Sequence, residues 1–213
     1  MNRIFALVLV TASVSAQEKR LTPETEHIVF RPSPRPDRII LTWEGDPATS
    51  QTVTWRTDTT VHKPIAELIL ADASPYLDDH EKEYHAETIQ TDIPQTAASY
   101  HKFTFTNLSP GSVYAYRVGN GKYWSEWYHF TTASADKEKP FSFIYLGDAQ
   151  NKIFHLWSRV IRAAYSDEPQ ARFILHAGDL INNAESNYEW GEWFAAGSFI
   201  YGMMPTLAVP RQS

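Results

Sequence analysis

The hydrophobic pattern of this 213-residue chain changes its period once, near residue 140, and this change constrains the fold most strongly. Between residues 38 and 132, apolar and polar residues alternate in short runs, as at Ile39, Leu41 and Trp43. Beyond residue 140, apolar residues form continuous runs or recur with helical spacing. Alternation is typical of half-buried strands, whereas a short continuous run is typical of a strand buried on both faces. The sequence therefore predicts two units of different architecture.

The first unit, residues 37–133, is predicted to be an all-β sandwich. Beyond the strands around Leu41 and Val53, period-two runs cover residues 65–71, 84–90, 100–106, 112–118 and 123–132. Seven short strands separated by turn residues are typical of a fibronectin-III-like or immunoglobulin-like sandwich. The turn Ser109-Pro110-Gly111 before Tyr114 predicts a corner in which the tyrosine hydroxyl binds the preceding backbone.

A polar linker, residues 134–140, leads into the second unit, residues 141–213. The pattern there predicts strands over residues 141–146, 173–177 and 206–209, and helices over residues 151–165 and 188–199. This order predicts the first half, βαβαβ, of a parallel α/β sheet. An incomplete sheet of this kind is expected to leave apolar strand faces exposed.

The N-terminal sequence predicts export. Arg3 precedes an unbroken apolar run over residues 4–10, and small residues lead to Ala16, which is the layout of a secretory signal peptide at residues 1–16. The run is too short to span a bilayer, so a cleaved signal is predicted rather than an anchor, and no other segment is predicted to cross a membrane. Residues 17–36 carry alternating prolines, which favour an extended lead-in. The mature chain is expected to be secreted or periplasmic.

Composition limits the chemistry. The chain has no cysteine, which excludes disulfides, thiolate nucleophiles and cysteine-ligated metals, so a metal must be held by oxygen or imidazole ligands. The 19 Lys and Arg against 25 Asp and Glu give a net charge of -6, without a basic cluster. Nucleic acid is therefore not an expected partner.

Two Gly-Asp pairs follow neighbouring strands of the predicted parallel sheet. Asp148 follows the first strand and Asp179 follows the second. Because the carboxyl ends of parallel strands meet at one edge, we expect the two carboxylates to lie side by side. Like charges repel there unless a cation lies between them, and oxygen ligands favour magnesium, manganese, iron or zinc. Two unrelated turns are the alternative, because Gly-Asp pairs are common after strands.

The second unit resembles the opening of the calcineurin-like metallophosphoesterases, and the sandwich is similar to the N-terminal domain of purple acid phosphatases. The resemblance covers residues 36–210, and its motifs are residues 141–148 with Gln150, 176–180, 188–194 and 204–210. It implies a metal-dependent phosphoric ester hydrolase, similar to acid phosphatases, in which a metal-bound hydroxide attacks phosphorus in line. It further implies phosphate esters as substrates and two divalent or trivalent ions (iron, zinc or manganese) in the full-length family.

The same resemblance assigns roles to residues. It implies that Asp148 binds the first metal and that Asp179 bridges both, without a side-chain nucleophile. Gln150 is a weaker ligand candidate, because a neutral amide binds metal less well than a carboxylate. Asn182 replaces the tyrosine that colours purple acid phosphatases, so a purple chromophore is not expected. His176 and Asn182 are predicted to lie around the ligands, and strand alternation turns His176 away from Asp179.

The resemblance also leads to an expectation about the C-terminus. The family follows Val-Pro with Gly-Asn-His-Glu or Gly-Asn-His-Asp, whereas this chain has Val209-Pro210-Arg211-Gln212-Ser213. One cytosine inserted before the codons GGC AAT CAT GAA would encode Arg-Gln-Ser and a stop, so a frameshift is the hypothesis. With two of five ligand motifs, this chain is expected to be inactive alone. The alternatives are a secreted binding module built on the sandwich, and a chain that needs a partner to complete its sheet.

Overall fold

The computed structural model describes residues 29–71, 82–91 and 96–208 of the chain. The predicted signal peptide, residues 17–28 of the lead-in, and the tail from residue 209 onward lie outside the described residues. Within the described ranges, no helix combines the length and apolar character needed to span a bilayer.

The first unit is an antiparallel β-sandwich, as predicted. One sheet has the order β1-β2-β6-β5 and the other has the order β4-β3-β7-β8. The strands are β1 (Asp37–Thr42), β2 (Gln51–Thr57), β3 (Ile65–Leu70), β4 (Lys82–His85), β5 (Glu87–Thr91), β6 (Ala98–Phe105), β7 (Val113–Gly119) and β8 (Tyr128–Thr131).

The apolar side chains that alternate along these strands fill the space between the two sheets. The buried core includes Leu41, Val53, Trp55, Phe105 and Tyr116, each at most 1% exposed. Apolar side chains packed in this way supply the main stabilising free energy of a sandwich. The two sheets are therefore joined by a continuous apolar layer.

The predicted tyrosine corner is present. The Ser109 backbone N–H donates to the Tyr114 hydroxyl oxygen at 2.9 Å. This hydrogen bond ties the turn to the following strand β7, as in other sandwiches of this class.

The predicted strand over residues 84–90 is wrong in one respect, because the chain changes sheet within it. Strand β4 pairs with β3, and β5 pairs with β6 in the opposite sheet. At the transition, the Ala86 N–H donates to the Pro64 carbonyl rather than to a strand partner. The sandwich therefore has eight described strands where seven were predicted.

The last predicted sandwich strand, residues 123–132, is mostly irregular. Only Tyr128–Thr131 forms β8, and Trp124 and Trp127 both stack on the Arg117 guanidinium, at 4.5 and 4.7 Å from Cζ to the ring centroids. Arg117 also forms an ion pair with Glu67 at 2.5 Å. Trp124 also forms an isolated antiparallel bridge with Gly119, so the segment stays beside β7 without forming a continuous strand.

The second unit contains the predicted βαβαβ order. Its elements are β9 (Ile144–Leu146), α1 (Ser158–Asp167), β10 (Ile174–His176), α2 (Asn187–Gly197), α3 (Phe199–Met203) and β11 (Thr206–Ala208). Strand β10 lies between β9 and β11 and pairs in parallel with both. The described part of the sheet therefore has three strands, with open edges at β9 and β11.

Two predictions about this unit are wrong in detail. Residues 151–165 do not form one α-helix, because Lys152 has a left-handed φ of 53° and the chain continues as a π-helical turn, Ile153–Trp157, before α1. Residues 188–199 divide into α2 and α3 because Ser198 has a φ of 46°. Left-handed residues interrupt an α-helix because Cβ crowds the backbone there.

The first strand of the second unit is not buried on both faces, contrary to the prediction. Phe141 and Tyr145 are 65% and 64% exposed, and the strand begins only at Ile144. Strand β9 pairs with β10 alone among the described strands, so its side chains have neighbouring strand residues on one side only. The expected exposure of apolar strand faces is thus observed on β9, at Tyr145, whereas Ile174 of β10 and Thr206 of β11 are buried.

The two units also contact each other directly. The buried Tyr116 hydroxyl of β7 donates to the Gly202 carbonyl oxygen of α3 at 2.6 Å. The Trp43 ring packs against Phe173 in an edge-to-face arrangement with 5.4 Å between centroids. Burial raises the pKa of Tyr116, so its hydroxyl remains a donor across the ordinary pH range.

Replacing Tyr116 with Phe is expected to lower the free energy of unfolding by about 1–2 kcal/mol, because the Gly202 carbonyl loses its buried donor. Urea denaturation followed by tryptophan fluorescence measures this change. The matched variant Tyr145→Phe, at a side chain that is 64% exposed, is expected to change it by less than about 0.5 kcal/mol. Equal effects of the two substitutions would contradict the proposed role of this hydrogen bond.

Candidate metal centre

The register of the parallel sheet brings the two Gly-Asp pairs to one edge. Ile144 pairs with Ile174, and Leu146 pairs with His176. Backbone hydrogen bonds continue past the strand ends, from Asp148 N to Gly178 O at 3.3 Å and from Gln150 N to Asp179 O at 3.0 Å. The expectation that both aspartates reach the same carboxyl edge is therefore confirmed for their backbone positions.

Glycine precedes each aspartate for a different steric reason. Gly178 has a φ of 96°, a conformation that side chains rarely adopt. A Cβ on Gly147 would lie 3.1 Å from the Cβ of Ala177, the residue that follows β10, which is closer than an ordinary van der Waals contact. Gly178 thus allows a sharp turn after β10, and Gly147 allows the segments that follow β9 and β10 to approach each other.

Backbone strain is concentrated at this edge. Of the seven described non-glycine residues with positive φ, four lie there: Asp148 (61°), Asn151 (78°), Lys152 (53°) and Asp179 (53°). Each such residue costs roughly 1–3 kcal/mol, and clusters of them are typical of ligand-binding and catalytic sites. A π-helical turn follows at once, and such turns are also frequent at functional sites.

The side chains at this edge offer oxygen ligands. Asp148 is exposed, whereas Asp179 and Gln150 are partly buried. The Gln150 side-chain amide nitrogen donates to Asp148 Oδ1 at 3.2 Å. Gln150 would therefore need to rotate its amide to present its oxygen to an ion held by Asp148. Among the residues that the structure describes, no group of three or more His, Asp and Glu side chains converges on one point.

His176 lies in the core rather than at the edge. Its ring is fully buried and lies 5.8 Å from the Trp157 ring, 5.3 Å from Trp193 and 6.1 Å from Tyr201, measured between centroids. Neither ring nitrogen has a hydrogen-bond partner within the described part of the chain. Burial lowers the pKa of His176 from 6.5 to about 4. Strand alternation therefore places this ring in the packing layer.

Asn182 lies three residues beyond Asp179, on a loop that Glu189 of α2 organises. Glu189 Oε2 accepts hydrogen bonds from the backbone N–H groups of Asn182 and Asn183, at 2.7 and 3.0 Å. Ser186 caps α2 by accepting from the Glu189 N–H at 3.1 Å. The Asn182 side chain itself is exposed.

Our sequence reasoning missed Glu189, although a signal for it was present. The spacing Ser186-x-x-Glu189 is that of a capping box, which marks a helix N-terminus. Here the glutamate binds the preceding loop rather than the Ser186 N–H. A carboxylate in the first turn is also stabilised by the helix dipole.

A comparison with protein families identifies what the sandwich is similar to. The family model described as "Purple acid Phosphatase, N-terminal domain" matches residues 36–132. The search of curated proteins found no match. The sandwich is therefore similar to the N-terminal domain of purple acid phosphatases.

Two solved structures share the fold over most of the chain. Purple acid phosphatase PPD1 from yellow lupin (Lupinus luteus) seeds is 18% identical, with a TM-score of 0.67, over 83% of this chain and 35% of its own length. PhoD is 12% identical, with a TM-score of 0.57, over 84% of this chain and 40% of its own length. At these identities the likeness establishes the fold, and this chain spans well under half of either protein.

Proposed function

We propose that this chain carries the opening part of an exported, metal-dependent phosphoric ester hydrolase, with Asp148 and Asp179 as metal ligands. The observation that carries the proposal is the pairing of two strained aspartates at the carboxyl edge of adjacent parallel strands. Ligands of open α/β sheets bind at this edge. The match of the preceding sandwich to a purple acid phosphatase domain supports the choice of phosphoester chemistry.

The donor set fits part of a site for one ion. Two carboxylates and, after rotation, one amide oxygen are ligands that hard or borderline divalent ions accept. A dinuclear centre needs several ligands for each ion, and the described residues do not converge in that number. The described residues therefore do not make up a site for two ions.

The residues around the edge have separate tasks. Asp148 and Asp179 would hold the ion, and Glu189 fixes the loop after Asp179 through two backbone hydrogen bonds. The ion, when bound, lowers the pKa of water and neutralises phosphoryl oxygens. Asp148 is exposed, so substrate and water have access to the edge.

Metal binding tests the proposal. Isothermal titration of the chain with Mn²⁺ is expected to show binding that weakens at least about tenfold in Asp148→Asn and in Asp179→Asn. Even groups outside the ligand shell change metal affinity by about 10–100-fold. The control Asp167→Asn changes an exposed carboxylate at the end of α1 and is expected to leave the affinity unchanged. Equal affinities for all four proteins would overturn the ligand assignment.

Activity of this chain should be very low. With saturating Mn²⁺, phosphate release from p-nitrophenyl phosphate is expected at no more than trace level, because the described donors suffice for one ion at most. Turnover comparable to that of ordinary enzymes, about 1–1,000 s⁻¹, would contradict this expectation.

A further inference from the structure

A second polar site lies between the sandwich and helix α2, away from the aspartate edge. A cavity of about 220 Å³ opens there, and its charged lining residues are Asp37, Arg38 and Arg56. The aromatic rings of Phe30 and Phe194 form part of its wall. The cavity therefore combines two cations and one anion with an apolar surround.

Arg56 is fixed in place by nearly all of its donors. Its side chain is 1% exposed and forms a bidentate ion pair with Asp37, from Nε at 2.8 Å and from Nη2 at 2.7 Å. It also donates from Nη1 to Asn187 Oδ1 at 3.1 Å and from Nη2 to the Phe30 carbonyl at 3.0 Å. A buried guanidinium held in this way is preorganised.

Arg38 is less completely satisfied. Its Nη2 donates to the Asn187 backbone oxygen at 2.9 Å and to Oδ1 at 2.7 Å, and its Nη1 donates to the Tyr100 hydroxyl at 3.3 Å. Its Nε is buried without a hydrogen-bond partner among the described residues. The backbone of Arg38 has a φ of 50° at an irregularity of β1, so strain accompanies its placement.

The charge balance of the cavity is positive. The lining has two guanidiniums and one carboxylate, which forms its ion pair with Arg56, and a single amide oxygen of Asn187 accepts from both arginines. Burial and the nearby Arg56 lower the pKa of Arg38, which is the response of a cation without full compensation. Buried cations that lack an anion are costly, and a bound anion relieves that cost.

We propose that this cavity binds a small oxyanion, such as inorganic phosphate, between Arg38 and Arg56. Guanidinium N–H groups bind oxyanions, and the described contacts leave the Nε–H and one Nη1–H of Arg38 and one Nη1–H of Arg56 without an acceptor. Because Arg38 and Arg56 belong to the sandwich and Asn187 begins α2, a bound anion would stabilise the two units against each other. The site is distinct from the metal edge and does not depend on the proposed function.

Thermal unfolding in the presence of phosphate tests this site. In EDTA, 10 mM phosphate is expected to raise Tm by about 3–6 °C relative to chloride at matched ionic strength, if this concentration is about ten times Kd. EDTA removes metal-dependent phosphate binding at the aspartate edge. The variant carrying both D148N and D179N should therefore show the same shift as the unmodified chain.

Substitutions of Arg38 test whether the phosphate-dependent increase in Tm arises at this cavity. Arg38→Gln is expected to abolish the shift, and Arg38→Lys should reduce it because an ammonium lacks the forked donors. Arg172→Gln, at an arginine of a different cavity, should retain the full shift. Isothermal titration with phosphate at 25 °C, with far-UV circular dichroism of each variant, measures binding without relying on Tm. No phosphate-specific shift, or an equal shift in a folded Arg38→Gln protein, overturns the proposal.

Discussion

Replacing Trp193 with Ala is expected to lower the free energy of unfolding of the second unit by about 3–5 kcal/mol. Trp193 is 2% exposed and stacks on Tyr201 with 4.3 Å between ring centroids. It also makes edge-to-face contacts with His176 and Phe194, at 5.3 and 5.0 Å. Truncation would therefore remove the ring that joins β10, α2 and α3.

Urea denaturation measured by near-UV circular dichroism provides the test. Val160→Ala, on the same unit but at a side chain that is 45% exposed, serves as the control and should cost less than about 1 kcal/mol. Trp193→Phe retains an aromatic ring, so its loss in the free energy of unfolding is expected to lie between those of Trp193→Ala and Val160→Ala. A loss for Trp193→Ala no larger than that of the control would show that this cluster does not stabilise the unit.

Replacing His176 with Leu is expected to protect the protein against acid. The folded pKa of about 4 lies below the unfolded value of 6.5, so between these values the unfolded state binds more protons. The free energy of unfolding therefore falls as the pH drops through this window. One such histidine accounts for a loss of about 2–3 kcal/mol between pH 7.5 and pH 4.5.

His176→Leu removes this contribution, and at pH 7.5 it should change stability by less than about 1 kcal/mol because the ring nitrogens have no described partner to lose. Urea midpoints at both pH values measure the difference. His129→Leu, at an exposed histidine of β8, is the matched control and should lose stability with acid as the unmodified protein does. If His176→Leu and the control lose the same stability between pH 7.5 and pH 4.5, protonation of His176 does not contribute to the acid sensitivity.

The sandwich could be predicted because its signals are local. Alternation places Trp55 and Tyr116 inside, and the turn before Tyr114 predicts the corner that the Ser109 N–H completes. The change of sheet at Ala86 could not be predicted, because both halves of that segment have the same period. The neighbours of a strand, rather than its own pattern, decide which sheet it joins.

In the second unit, too, some features could be predicted from the sequence and others could not. The aspartates could be placed at one edge because a strand–helix–strand connection sets parallel strands side by side. The exposure of Tyr145 could not be predicted, since an apolar run carries no information on whether its strand lies at an edge. The hydrogen bond from Gln150 to Asp148 depends on a side-chain rotamer, which sequence patterns do not determine.

The cavity lined by Arg38 and Arg56 was not predicted from the sequence. Arg56 contacts Asn187 across 131 positions of sequence, and the two residues belong to different units. Alternation alone predicts that a charged residue in a strand faces solvent. Only tertiary structure identifies the carboxylate and amide that allow Arg56 to be buried.

The direct contacts between the two units affect how the connecting peptide behaves. Residues 135–140 are exposed, and the hydrogen bonds of this stretch are local, such as those from Asp136 N to Ser134 Oγ and from Glu138 N to Asp136 Oδ1. Tyr116 and Arg56, in contrast, bind the second unit through hydrogen bonds that do not involve this peptide. A protease cut in the peptide would therefore leave two fragments that stay associated and elute together, so the covalent connection is not what holds the halves in place.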